Sequence, residues 1–148
     1  MAKASSLSHR TALQVRDRCL CLAAQRAARV LARRFDAALA PVQLTNGQFS
    51  LLMALNRPRP PLMSDVAELL AMDRTTLTAA IKPLDRRGLV AVRVDDADRR
   101  GRRLILTAAG KRLLAEAYPI WARTLGEIER DLPDAAGLRA ALWAIEAG

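Results

Sequence analysis

Two cysteines, one histidine and one tyrosine in 148 residues leave this sequence with little of what most covalent or metal chemistry is built from. Cys19 and Cys21 stand too close together to suggest a disulfide framework. His9 is the only histidine, which excludes a two-histidine metal site within one chain, and its N-terminal stretch is a poor platform for a Ser/His/Asp triad. The seven glycines are scattered and form no phosphate-cradling loop. The carboxylates are likewise dispersed, mostly at positions that suit helix caps or a charged turn. Neither enzymatic activity nor a cofactor or metal is therefore expected. No apolar run is long enough to cross a bilayer, and "MAKASSLSHR" lacks the apolar stretch of a secretory signal, so cytoplasmic residence without a membrane partner is the expectation. A chain of this length is expected to form one domain with a real core.

What is abundant is positive charge, and it is unevenly placed. The formal net charge is +9. Residues 1–73 carry ten Lys/Arg against five Asp/Glu, residues 74–112 eleven against four, and residues 113–148 three against six. Nearly half of the basic side chains thus fall in about a quarter of the chain, the footprint expected for a polyanion partner. A general coding bias toward Arg and Ala explains the preference for Arg over Lys, but not this clustering.

Residues 9–40 read as one long helix without internal Gly or Pro, with Leu13, Leu20, Ala24, Ala27, Leu31, Phe35 and Leu39 at helical spacing. Such a helix exceeds what a small domain needs for its own core and suits a partner. In "LTNGQF", Thr45 and Gln48 form a capping box, and Leu44 and Phe49 a hydrophobic staple. "RPRPP" ends the short helix that follows and serves as a rigid corner. In "SDVAELLAMDRTTLTAAIKPLDRRGLV", Ser64 caps one short helix and Asp73 a second, which carries the stripe Leu77, Ile81, Leu84 and is closed by Gly88. Pro83 breaks the pattern of that second helix. Two short helices across a tight turn make a helix-turn-helix.

After Gly88, "LVAVRV" and "RRLILT" are β-type runs flanking a charged turn, a hairpin. Thr107 then caps a long helix with the expected buried line Leu113, Ala117, Ile120, Trp121, Leu125, Ile128 and Leu132, interrupted by Pro119. Asp134 opens a last helix with Leu138, Leu142 and Ile145 on one side. The fold class is mainly α with a small β-hairpin wing (α+β): a winged helix-turn-helix between N- and C-terminal helices.

The ordered combination of "LTNGQFSLLMAL", the helix-turn-helix segment, "DDADRRGRRLILTAAGK" and "YPIW" resembles the MarR family of transcriptional regulators over nearly the whole chain. The pair Asp98 and Arg100, followed by an alternating run into Leu106, Thr107 and Gly110, is the most specific element. The resemblance implies a homodimer built by helices within 9–40 and 108–148, with residues 44–107 as the DNA-binding lobe. It further implies a pseudo-palindromic double-stranded DNA operator, repression, and release by a small aromatic or lipophilic effector or by cysteine oxidation.

Within that frame, Arg74, Thr75, Thr76, Thr78 and Lys82 lie off the apolar stripe of the second motif helix. Short hydroxyls and bases there suit a major groove, where they meet base edges and phosphates. In the wing, Arg100 resembles the family's minor-groove arginine and Asp98 its support, with Arg99, Arg102 and Arg103 meeting phosphates or flanking the groove. Phe35, Phe49, Met53 and Trp121 come from the helices that surround the effector cavity in similar proteins; taken singly, each is read as a core residue before a ligand contact. Cys21 holds the position of the reactive cysteine in the family's organic-hydroperoxide sensors, counted back from Gln48 and Phe49. The tyrosines that support it there are replaced here by Gln25 and Phe35, which favours a structural cysteine over a sensor. The rival from another class is an architectural protein that coats DNA through charge alone; the threonine-rich helix speaks against it.

Overall fold

The structure is a computed structural model that describes residues 6–145. In chain order it places helices α1 (His9–Arg18), α2 (Leu20–Leu39), α3 (Asn46–Leu55), α4 (Met63–Leu69) and α5 (Arg74–Arg86), strands β1 (Val90–Val94) and β2 (Arg102–Leu106), and helices α6 (Ala108–Arg130) and α7 (Ala135–Trp143).

The single helix expected over residues 9–40 is two. Cys19 adopts an extended conformation (φ −76°, ψ 105°). Its N–H donates to the Val15 carbonyl at 2.9 Å, ending α1, and its Sγ accepts the Leu22 N–H at 3.4 Å, starting α2. The thiol thus fills the role that Ser or Asp usually plays at a helix start. A second correction concerns α4. Ser64 is not its cap: the helix begins two residues earlier, after Leu62, whose N–H is taken by the Asp65 carboxylate at 3.3 Å.

The other start signals act as their chemistry dictates. Thr45 and Gln48 exchange side-chain and backbone hydrogen bonds at 3.1 Å each. Asp73 accepts the Thr76 N–H at 2.7 Å, and Thr107 the Gly110 N–H at 3.0 Å. At the far end of α5, Gly88 takes φ +69° and lets Leu89 N–H reach the Leu84 carbonyl at 2.9 Å, closing the helix. α5 runs through Pro83 and α6 through Pro119 as single helices.

The core gathers Phe35 and Leu39 of α2, Phe49, Leu51, Leu52 and Leu55 of α3, Leu77, Ile81 and Leu84 of α5, and Val90, Leu104 and Leu106 of the hairpin. On α6 the buried positions are Gly110, Leu114, Ala117, Thr124 and Ile128, while Leu113, Ile120, Trp121 and Leu125 are half-buried and Leu132, just beyond the helix, is exposed. α1 and α7 bury no residue. Leu20 (79%), Trp143 (72%) and Ile145 (66%) keep most of their surface, and Leu138 and Leu142 are exposed too. Apolar surface therefore collects at both ends of the chain, where the sequence also places its surplus stripes.

β1 and β2 pair antiparallel, with Val90 opposite Leu106 and Val94 opposite Arg102. The proline corner adds a third, minimal edge. Leu62 bridges Arg103, and the Leu104 N–H donates to the Pro61 carbonyl at 3.0 Å. The hairpin is thereby tied to the turn that follows α3.

Candidate nucleic-acid interface

The helix-turn-helix turn is tight enough to need a left-handed residue: Ala71 has φ +50°, and Met72 N–H reaches back to the Ala67 carbonyl at 2.9 Å. That turn sets α5 across α4 with Leu77, Ile81 and Leu84 buried. Arg74, Thr75, Thr76, Thr78 and Lys82 are then all exposed. Two of the three threonine hydroxyls already have local partners. Thr76 Oγ1 donates to Asp73 at 3.0 Å, and Thr78 Oγ1 donates to the Arg74 carbonyl at 2.8 Å. Their methyl groups and acceptor lone pairs are what they offer outward. The Thr76 backbone N–H holds the Asp73 carboxyl below the usual carboxylate range, and the Thr76 hydroxyl adds to the effect.

The charged turn between the strands is an organised loop. Asp98 Oδ1 accepts the Arg100 backbone N–H at 2.9 Å and lies 3.8 Å from its Nε. Gly101 N–H donates to the Asp98 carbonyl at 2.8 Å, and Asp95 N–H to the Gly101 carbonyl at 3.0 Å. A Cβ at Gly101 would stand 3.2 Å from both Asp95 Cβ and the Asp98 carbonyl oxygen, so any side chain there would push the turn open by a few tenths of an ångström. Arg100 emerges from it with a side chain 95% exposed. Arg102 bends back instead, donating to the carbonyls of Arg99 and Gly101 at 3.0 and 3.1 Å.

Arg103 occupies a different place from its neighbours. Its Nε donates to Asp95 at 2.6 Å and its Nη1 to the Pro60 carbonyl at 2.6 Å. Asp95 is buried, and the hydrogen bond from Arg103 holds its carboxyl below the ordinary range against the opposing pull of desolvation. Sequence reasoning saw Asp95 only as one of several charges in the turn. Its partner lies eight residues away on the opposite strand, and the third member of the cluster is a backbone carbonyl more than forty residues upstream.

Two adjoining clefts collect the expected DNA-facing residues. One, of about 470 Å³, lies between the wing and α4 and has Arg74, Asp98, Arg100 and Arg102 in its walls. The other, of about 290 Å³, has Arg74, Thr78, Lys82 and Arg102. Arg74 and Arg102 are common to both, so the start of α5 and the root of the wing form one basic surface. Thr75, Thr76 and Arg99 are exposed outside these clefts.

The candidate effector residues also converge. Phe49, Met53 and Trp121 line a cavity of about 370 Å³ together with Trp143. Phe35 stands behind it, its ring 6.4 Å from that of Trp121, while the Phe49 ring lies 5.6 Å away on a near-parallel plane. Trp143 was missed from sequence because it lies off the Leu138, Leu142, Ile145 stripe. Cys21 is exposed on α2 and accepts a hydrogen bond from the Gln25 side chain at 3.3 Å. Cys19, two residues before it, stands at the interruption between α1 and α2. Among the described residues, no three His, Cys, Asp or Glu side chains cluster as metal ligands, and no helix is long and apolar enough to cross a membrane.

The MarR family model matches residues 42–101, which span the helix-turn-helix and most of the wing. Among curated proteins none matches this chain significantly. Among solved structures, the fold is similar to the Mycobacterium tuberculosis transcriptional regulator MosR in complex with DNA, at 35% identity over 86% of this chain and 92% of that one, with a TM-score of 0.80. The transcriptional repressor CouR bound to a 23-mer DNA duplex is 29% identical over 95% of this chain and 96% of its own, with a TM-score of 0.72. BpsR of Bordetella bronchiseptica, whose DNA binding is regulated by 6-hydroxynicotinic acid, is 27% identical over 86% and 90%, with a TM-score of 0.71.

Proposed function

This chain belongs to the MarR family of DNA-binding transcriptional regulators, and from that premise we propose that it is a cytoplasmic, homodimeric repressor released from a pseudo-palindromic operator by a small molecule. The observation that carries the DNA half of this reading is the shared basic surface: Arg74 and Lys82 of α5 and Arg100 and Arg102 of the wing line two adjoining clefts, and Arg74 and Arg102 line both. In this reading residues 44–107 are the DNA-binding lobe. Arg74, Thr75, Thr76, Thr78 and Lys82 enter the major groove. Arg100, braced by Asp98, enters the minor groove, and Arg99 and Arg102 flank it. Arg103 works from behind: paired with Asp95 and Pro60, it fixes where the wing stands.

The dimer half of the reading rests on exposed apolar surface. Leu20, Leu138, Leu142, Trp143 and Ile145 project from the two ends of the chain, which the reading assigns to dimerisation. A protomer with this much unburied apolar surface suits an obligate interface that resembles a core. The cavity at Phe49, Met53 and Trp121, backed by Phe35, is the effector site in this reading, and its ligand is aromatic or lipophilic. Cys21 is not a sensor in this reading, because the supporting tyrosines of the hydroperoxide sensors are replaced by Gln25 and Phe35, although its thiol is exposed. The direct test is selection of bound fragments from the source genome with the purified chain. Enrichment of an inverted repeat with half-sites about 10 base pairs apart supports the reading; enrichment without a common sequence supports the architectural rival.

A further inference from the structure

The aromatic cavity is one end of a longer trough, and the other end is basic. α3 presents Phe49, Ser50, Met53 and Asn56 at successive helical spacing, and α6 presents Lys111, Leu114, Tyr118 and Trp121 in the same way. The cavity of about 370 Å³ takes in Phe49, Met53, Trp121 and Trp143. A neighbouring one of about 500 Å³ takes in Met53, Asn56, Lys111 and Tyr118. Met53 is common to both walls, and the Tyr118 and Trp121 rings, one from each cavity, stack at 6.0 Å. The two spaces therefore adjoin along the seam between α3 and α6.

The two ends of the trough differ in chemistry. No charged side chain lines the tryptophan end, where Leu69 and Leu70 add further apolar surface. At the far end stands Lys111, exposed and absent from all four ion pairs among the described residues, beside the Asn56 amide and the Tyr118 hydroxyl. Ten residues of helix separate Lys111 from Trp121, a rise of about 15 Å. An acid whose carboxylate lies only one or two carbons from its ring, such as phenylacetate, is too short to stack on Trp121 and reach Lys111 at once.

We propose that the trough binds an elongated amphipathic anion, with an aromatic ring among Phe49, Trp121 and Trp143 and a carboxylate at Lys111, roughly 10–15 Å apart. This rests on the reading of the chain as a ligand-responsive regulator and narrows the ligand class from any small lipophile to an aryl-tailed long-chain acid. Ring stacking and apolar burial supply most of the affinity. The lysine supplies selection for the anion.

The chain carries its own reporter, since Trp121 and Trp143 are its only tryptophans and both line the aromatic end. Titration of the full chain without DNA, read by tryptophan emission, compares 8-phenyloctanoate, 8-phenyloctanamide and phenylacetate. The expected result is saturable binding of 8-phenyloctanoate, about two- to fivefold tighter than its amide, as an exposed ion pair allows, with phenylacetate much weaker. Lys111→Gln, an exposed change, is expected to abolish the preference for acid over amide and leave amide affinity unchanged. Equal binding of the short acid, equal binding of the amide to the parent, or an unchanged preference in Lys111→Gln overturns the proposal, as does the absence of any saturable signal. Because no DNA is present, each of these failures leaves the operator reading to its own test.

Discussion

Gly110 sits in the first turn of α6, where adding one methyl group should do more damage than its size suggests. In most helices Gly→Ala stabilises by about 1 kcal/mol. Here the new Cβ would lie 2.2 Å from the Leu89 carbonyl oxygen and 2.7 Å from Leu106 Cδ1. Ordinary contact begins near 3.5 Å, so α6 and the hairpin must separate by about 1 Å. That movement stretches the Thr107 N–H and Oγ1 contacts to the Leu89 carbonyl, both 3.1 Å. Overpacking costs about 1–3 kcal/mol and each weakened hydrogen bond up to about 1 kcal/mol. With both bonds lost, and after the helix-propensity gain, the net loss is about 2–4 kcal/mol, a large share of a typical total of about 5–15 kcal/mol. Urea denaturation at fixed protein concentration should show this as a midpoint lowered by about 1–2 M at unchanged slope. Gly126→Ala is the control on the same helix: nothing lies within 4 Å of its added Cβ, and it should be neutral or stabilising. If Gly110→Ala matched or exceeded the parent in stability, the close seating of α6 on the hairpin would be wrong.

Other consequences follow from the same geometry. Arg100→Ala should weaken DNA binding and lower the slope of log affinity against log salt by about one, with the fold unchanged by circular dichroism, because that side chain is almost wholly exposed. Asp73 and Asp95 are both held below their ordinary range when folded, so their contributions are complete above about pH 4 and fade as pH falls through the lowered folded values. Denaturation midpoints between pH 6 and pH 3 should therefore fall less steeply for Asp95→Asn than for the parent; parallel curves would contradict the clasp. Removal of residues 134–148 should leave aggregated or unfolded protein, and a soluble, well-folded product by light scattering and circular dichroism would contradict an obligate, core-like interface there. Stoichiometric organic hydroperoxide should not release operator from the parent faster than from Cys21→Ser; prompt release by the parent alone would make Cys21 a sensor.

What was legible in the sequence was whatever is decided within one helical turn. The caps at Thr45, Asp73, Thr107 and Asp134 each involve an amide three residues away, so residue type and position were enough. Gly88 was legible because only glycine takes its conformation without strain. The break at Cys19 was not, because no Gly or Pro marks it and thiols seldom cap helices. At α4 the carboxylate of Asp65 reaches back past Ser64, and either residue fitted the pattern. The division of labour among the wing arginines was beyond reach: Arg100 and Arg103 are alike in sequence, but Arg100 sits in the exposed turn, while Arg103 lies in β2, its side chain against Asp95 and Pro60. Trp143 was missed because helical spacing identifies a stripe and says nothing of which neighbouring helix approaches its edge.

The central claim is that α5 and the wing read sequence and do not merely neutralise phosphate. It is tested most directly by titrating the purified chain against a selected genomic fragment and against a shuffled duplex of equal length and composition, at about physiological salt. The account predicts a preference of about a thousandfold or more for the selected fragment, reduced when Thr76 or Thr78 is replaced. Equal affinity for the two duplexes would contradict it.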